Sequence, residues 1–226
     1  MNTIIEADAA KLAGLQIDLL QKMRQGQITT RHLEWFIRMT KDEREAKMLD
    51  TYMAGTEIGK LQKFALLVDL GTITVPDDYV HGSRLTTFGN KHRKEFYYYN
   101  DEITDGNFPN PTRVLKPGDK LRVRAFKQVV SGETTSEERM AFLATQKAVL
   151  VGAQGASLVY EQKRNQLPKG KWYVSFDEKD RLWEDAVGDR RVPSVYAYSD
   201  GAFIFGLGGF ERPWSDDSVL LCFCDE

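Results

Sequence analysis

The chain is poor in the residues from which metal sites and disulfide frameworks are built. It holds two cysteines, Cys222 and Cys224, and three histidines, His32, His81 and His92. The histidines show no ligand spacing, so no metal site is expected. On a strand the two cysteines would project from one face. Neighbours two apart are badly placed for a mutual disulfide, and both read as small buried core thiols. Long apolar runs are also missing. The longest, such as residues 219–223, is far too short to span a bilayer, so no membrane partner is expected. The opening MNTIIEADAAKLAGL carries acidic residues where a secretory signal carries basic ones, which points to the cytoplasm. No G-x-x-x-x-G-K-[ST], no complete G-x-G-x-x-G and no G-x-S-x-G occurs. The P-loop, the full dinucleotide fingerprint and the nucleophile elbow are therefore excluded. No internal repeat and no low-complexity tract is present.

A strong charge of either sign is lacking too: 31 Lys and Arg face 33 Asp and Glu. The isoelectric point near 6.0 is low for a nucleic-acid domain. The distribution is uneven, however. Residues 84–127 hold ten Lys/Arg against five Asp/Glu, and residues 177–226 hold five against twelve. Such asymmetry steers a partner or draws two parts of one fold together. At 226 residues, 42% of them hydrophobic, the chain can bury a full core.

Residues 1–65 read as a helical segment. Leu12, Leu15, Leu19, Leu20 and Met23 fall at helical spacing, Gly26 ends that helix, and Thr29 or Thr30 caps the next, with Leu33, Phe36 and Ile37 as its apolar stripe. A third helix is expected over 41–53. The helix–Gly–Ile–Thr–Thr–helix outline resembles a helix-turn-helix. Residues 1–70 balance ten basic against ten acidic residues, so a small packing or docking unit is the better reading.

Residues 66–226 read as a mixed domain, and the whole as an α+β (or α/β) protein with the helical segment packed on a mixed sheet. Short strands are expected at 64–68, 72–75 and 96–99. Then comes a β-α-β-α-β unit: a strand at 121–126, a helix at 136–146, a strand at 148–151, a tight turn at 152–155, a helix at 156–167 and a strand at 172–176. Asp200-Gly201 signals an antiparallel hairpin. Residues 219–224 are apolar on both faces, as an interior strand would be.

Four places could carry function. Gly152-Ala-Gln-Gly155-Ala-Ser157 invites a phosphate or nucleotide at a helix N-terminus, with Gly152, Gln154, Gly155 and Ser157 as contacts. A plain strand-to-helix turn explains the same letters, and no cofactor is implied. Lys91, Arg93, Lys94 and Tyr97 make the best single-stranded nucleic-acid surface, by phosphate neutralisation and base stacking. A solvated basic loop before a half-buried strand competes with it, and nucleic acid is not the expected partner. Asp177, Glu178, Asp180, Glu184 and Asp185 form an acidic cluster around Arg181 and Trp183, without EF-hand spacing. Finally, Trp172, Trp183, Trp214, Tyr196, Tyr198, Phe203, Phe205 and Phe210 crowd the last third, more aromatics than one core needs.

Phe96-Tyr-Tyr-Tyr-Asn100, Asn110-Pro-Thr-Arg-Val-Leu-Lys-Pro-Gly-Asp119, residues 148–157 and Leu167-Pro-Lys-Gly-Lys-Trp172 resemble a group of conserved hypothetical proteins of bacteria known mainly through sequencing. Ile28-Thr-x-x-x-Leu33 is similar to their N-termini. The resemblance covers most of the chain. It implies a bacterial, cytoplasmic protein, carries no assigned activity and transfers no functional residue. The expectation from the sequence is a non-catalytic binding or interaction protein with a protein or small-molecule partner. A nucleotide-using enzyme or switch at 152–157 comes second and a single-strand binder at 91–99 third.

Overall fold

The computed structural model describes residues 63–226 and, nearer the N-terminus, residues 16, 17, 20, 21, 23, 24 and 34. The chain divides into a unit Met1–Lys60 and a unit Leu61–Glu226. In the first, the described residues are helical, with Ile17 and Leu20 exposed and Met23 half-buried. The expected second and third helices, the Thr29/Thr30 cap and the Leu33–Phe36–Ile37 stripe lie outside the described residues, as do Leu12, Leu15 and Leu19. No described helix is long and apolar enough to cross a membrane.

The second unit is an α+β fold on one mixed sheet. Its strands are β1 (Phe64–Thr74), β2 (Tyr98–Tyr99), β3 (Lys120–Gln128), β4 (Lys171–Val174), β5 (Trp183–Glu184), β6 (Arg190–Ala197), β7 (Phe203–Gly209) and β8 (Ser218–Asp225). They run in the order β1-β3-β8-β4-β6-β7-β2, with β5 attached to β6. Only β8/β4 and β7/β2 are parallel. Three helices accompany them: α1 (Arg84–His92), α2 (Ser136–Thr145) and α3 (Gly152–Lys163).

β8 shows why the sheet has two covered faces. Val219, Leu221 and Phe223 point into one apolar cluster with Ala153, Ala156 and Tyr160 of α3. Leu220 and Cys222 point into another with Leu143 of α2, Phe126, Phe176 and Trp214. Alternation along an interior strand forces this two-sided apolar pattern. Each fully buried leucine or phenylalanine contributes about 1.5–3 kcal/mol.

α2 starts with a capping box missed in the sequence: Thr135 accepts from the Glu138 N–H, and Glu138 accepts from the Thr135 N–H. Below it lies Arg139, 0% exposed. Its guanidinium donates to Thr134 Oγ1 and the Ser218 carbonyl, both at 2.8 Å, and to Gln128 Oε1 and the Ser215 carbonyl. Each nitrogen of the buried guanidinium thus has a hydrogen-bond partner, as a buried charge requires.

Three expectations change. The strands expected at 64–68 and 72–75 are one strand, β1, which absorbs two bulges. Gly71, at φ +70°, and the Asp69 carboxylate that accepts its N–H shape the second bulge. The outer edge of β1 is partly closed by the Gln162 amide, which pairs with both the N–H and the carbonyl of Thr74. The strand expected at 148–151 is a single bridge from Val149 to Phe223, because α3 begins directly afterwards. The turn expected at 152–155 is the first turn of α3 itself. Its glycines let a helix that is buried from Gly152 to Tyr160 approach the sheet. A Cβ on Gly155 would lie 2.4 Å from Val151 Cγ2 and 3.0 Å from the Phe223 ring. Residues 121–126, the helix at 136, the strand at 172, the Asp200-Gly201 hairpin and the interior last strand match the sequence reading.

Candidate functional site

At the N-terminus of α3, Gly152, Gln154, Gly155 and Ser157 are all buried. Asp177 lies against this end: a Cβ on Gly152 would be 2.8 Å from its Oδ2. Its Oδ1 accepts from the Thr112 N–H, the Thr112 hydroxyl and the Glu178 N–H. Burial pushes the carboxyl up to about 6, against the pull of those hydrogen bonds. Gln154 Nε2 donates to the Phe108 carbonyl, while its Oε1 is buried without a partner. Ser157 Oγ donates to the Gln154 carbonyl and accepts from Arg84 Nε. The chain's own carboxylate therefore stands where a phosphate would approach.

Residues 91–95 are not a loop but the end of α1 and a following 3₁₀ turn. This splits the basic run. Lys91, Arg93 and Lys94 are exposed, whereas His92 is buried between Glu161 and Glu95, at 2.9 and 3.0 Å. Glu161 also takes the Arg84 guanidinium at 2.6 Å, and Tyr160 OH donates to Glu95. Burial alone would raise the Glu161 carboxyl; Arg84 and His92 hold it below the ordinary carboxylate range. The cluster ties α1 to α3.

Tyr97, 79% exposed, meets Tyr198 edge-on with centroids 6.1 Å apart. Tyr198 meets Tyr196 at 4.6 Å, and Tyr196 meets Trp172 at 4.9 Å across β6 and β4. Of the other aromatics singled out in the sequence, Phe203, Phe205, Phe210 and Trp214 are core.

A groove of about 580 Å³ opens beside β5, β6 and β7, lined by Asn100, Glu102, Trp183, Asp185, Ala186, Val187, Arg191 and Leu207. Trp183 is half-buried and rests on Phe108, with centroids 6.2 Å apart. Asp185 organises the rim. Its Oδ1 accepts from the Val187 and Asp189 N–H groups, and its Oδ2 clasps Arg191. The Arg191 hydrogen bond holds the Asp185 carboxyl below its usual range. The turn exposes Val187 beside the indole. The groove thus offers a half-buried indole and several polar groups at its rim.

The sequence singled out Asp185 as part of an acidic cluster, and Trp183 both there and among the aromatics of the last third. Asp180 and Glu178 line no part of this groove. Asn100 and Glu102, Arg191 and Leu207 reach it from three separate segments and carry no local signal. Family models, curated proteins and solved structures were each compared with this chain, and none matches it.

Proposed function

We propose that the protein is a non-catalytic binding protein whose small-molecule ligand lies in the groove beside Trp183. The observation that supports this is the pairing of a half-buried indole wall with the Asn100, Glu102 and Asp185–Arg191 rim. An indole face takes a flat, weakly polar surface. Amide, carboxylate and guanidinium groups then fix the ligand's polar edge. A sugar ring or a nucleoside offers both features, and about 580 Å³ suits either. The bacterial, cytoplasmic setting is part of this proposal and rests on the sequence resemblance.

Binding is favoured over catalysis because the polar groups that converge elsewhere are engaged with one another. Arg84, Glu161, His92 and Glu95 form one closed network, and Asp177 faces its own helix terminus. Calorimetric titration of the full chain with pyranose sugars and nucleosides tests the reading. Saturable heat that vanishes in Trp183→Ala supports it; heat that survives in that variant refutes it.

A second reading keeps one specific observation. Exposed Tyr97 extends the Tyr198–Tyr196–Trp172 contacts, and exposed Lys94 lies three residues before it in the chain, a combination of aromatics and a cation that single-stranded nucleic acid could use. Lys91 and Arg93 are drawn to Glu161 and Asp101, which weakens that surface. Salt-sensitive binding of an oligonucleotide, lost in Tyr97→Ala, would favour this reading over the groove.

A further inference from the structure

Three charged residues line the groove beside Trp183: Glu102, Asp185 and Arg191. Two of them cancel. Asp185 Oδ2 accepts from Arg191 Nε at 2.7 Å and from its Nη2, and Asp189 comes within 3.5 Å of the same guanidinium. Arg191 is thereby matched within the chain, and the charge of Glu102 is left over. Glu102 is also held in place. Its N–H donates to Asn100 Oδ1 at 2.9 Å, and the Asn107 amide donates to both its carbonyl and its Oε2, each at 2.9 Å. Asn107 is neutral, so it fixes the carboxylate without balancing its charge. The segment is pinned to the fold on either side of Glu102. The Asn100 N–H donates to the Phe205 carbonyl at 2.9 Å, and Ile103 is core.

An indole and an unbalanced carboxylate in one groove are the two elements that recognise an organic cation. The ring face attracts it through the π quadrupole, and the carboxylate attracts it directly. We infer, granted that the groove is the ligand site, that it selects ring ligands carrying a protonated amine, such as an amino sugar or an amino nucleoside, and that Glu102 reads that charge. An acidic ligand would face Glu102 and find Arg191 already engaged. The preference is modest, because Glu102 is exposed at the rim and is screened by water and salt. An amino ligand should bind roughly 3–10-fold more tightly than its neutral counterpart, the range of an exposed ion pair reinforced by a cation–π contact.

The test is calorimetric titration of the full chain with matched ligands, at a pH where the amines are protonated. Glucosamine is compared with glucose, N-acetylglucosamine and glucuronate, and adenosine bearing a ribose amine is compared with adenosine. The amino member of each set should bind more tightly, and its advantage should shrink as salt is raised. In Glu102→Gln, checked for an unchanged melting curve, the ratio of amino to neutral affinity should fall to about one, since the charge is gone and the shape is kept. Neutral ligands that bind as tightly as their amino counterparts, or an advantage retained in Glu102→Gln, would overturn the inference and leave the groove standing as a ligand site. Tighter binding of glucuronate than of glucose would overturn it as well, by making Arg191 the reader of charge. Saturable heat from no member of either set would overturn both the charge selectivity and the groove.

Discussion

A Cβ at Gly152 would sit 2.8 Å from Asp177 Oδ2, so no side chain fits between the start of α3 and the carboxylate that follows β4. The helix terminus favours an anion there. Burial opposes it and prevails, with the carboxyl raised to about 6.

That shift makes a prediction about acid stability. The ordinary value for Asp is 3.8 and the folded value is about 6. Between the two, the folded chain binds the proton more strongly than the unfolded chain, so stability falls as pH rises. Above the folded value the full cost is present, on the order of 3 kcal/mol. Urea midpoints measured across pH 4–7 should show this downward slope, and Asp177→Asn should remove it. Parallel curves for the two proteins would contradict the assignment.

Gly155 offers a steric prediction. Its added Cβ would meet Val151 and the Phe223 ring, neither of which is a flexible end. Gly155→Val should therefore destabilise the fold by about 1–3 kcal/mol, through overpacking alone. Chemical denaturation reads the change. A neutral result would mean that α3 is not packed on β8 as described.

These two glycines also show how far the sequence could be read. The pattern along 121–126 marked a strand correctly, and residues 219–224, apolar on both faces, marked an interior one. Asp200-Gly201 marked its hairpin through turn chemistry alone. In contrast, Gly152 and Gly155 read as chain breakers, since sequence does not show that a buried helix needs small residues for close approach. The groove was harder still. Trp183 and Asp185 stood out, but Asn100, Arg191 and Leu207 are brought beside them only by the pairing of β5, β6, β7 and β2. His92 looked like part of a basic run until helical geometry turned it inward.

Arg139 was equally invisible, because a lone arginine in a helical pattern reads as surface. It remains charged at neutral pH, although burial lowers its pKa to about 10. Its guanidinium also packs over Phe64 and Trp214, 5.6 and 5.7 Å from the ring centroids. Arg139→Met strips a partner from four acceptors and should cost about 3–5 kcal/mol. Arg139→Lys should recover only part, since an ammonium cannot reproduce the planar fork. Thermal and urea unfolding would show both losses; full recovery by lysine would count against the role of the fork.

The central claim, that the groove beside Trp183 binds a small ligand, is tested most directly by amide and indole NMR shifts of the full chain. The titrants are a panel of pyranose sugars and nucleosides. The account predicts saturable shifts confined to the Trp183 indole, Asn100, Glu102, residues 185–187, Arg191 and Leu207, abolished by Trp183→Ala in a protein that still melts normally. Shifts that centre on residues 152–157 or on Tyr97, or no saturable shift with any titrant, would contradict it.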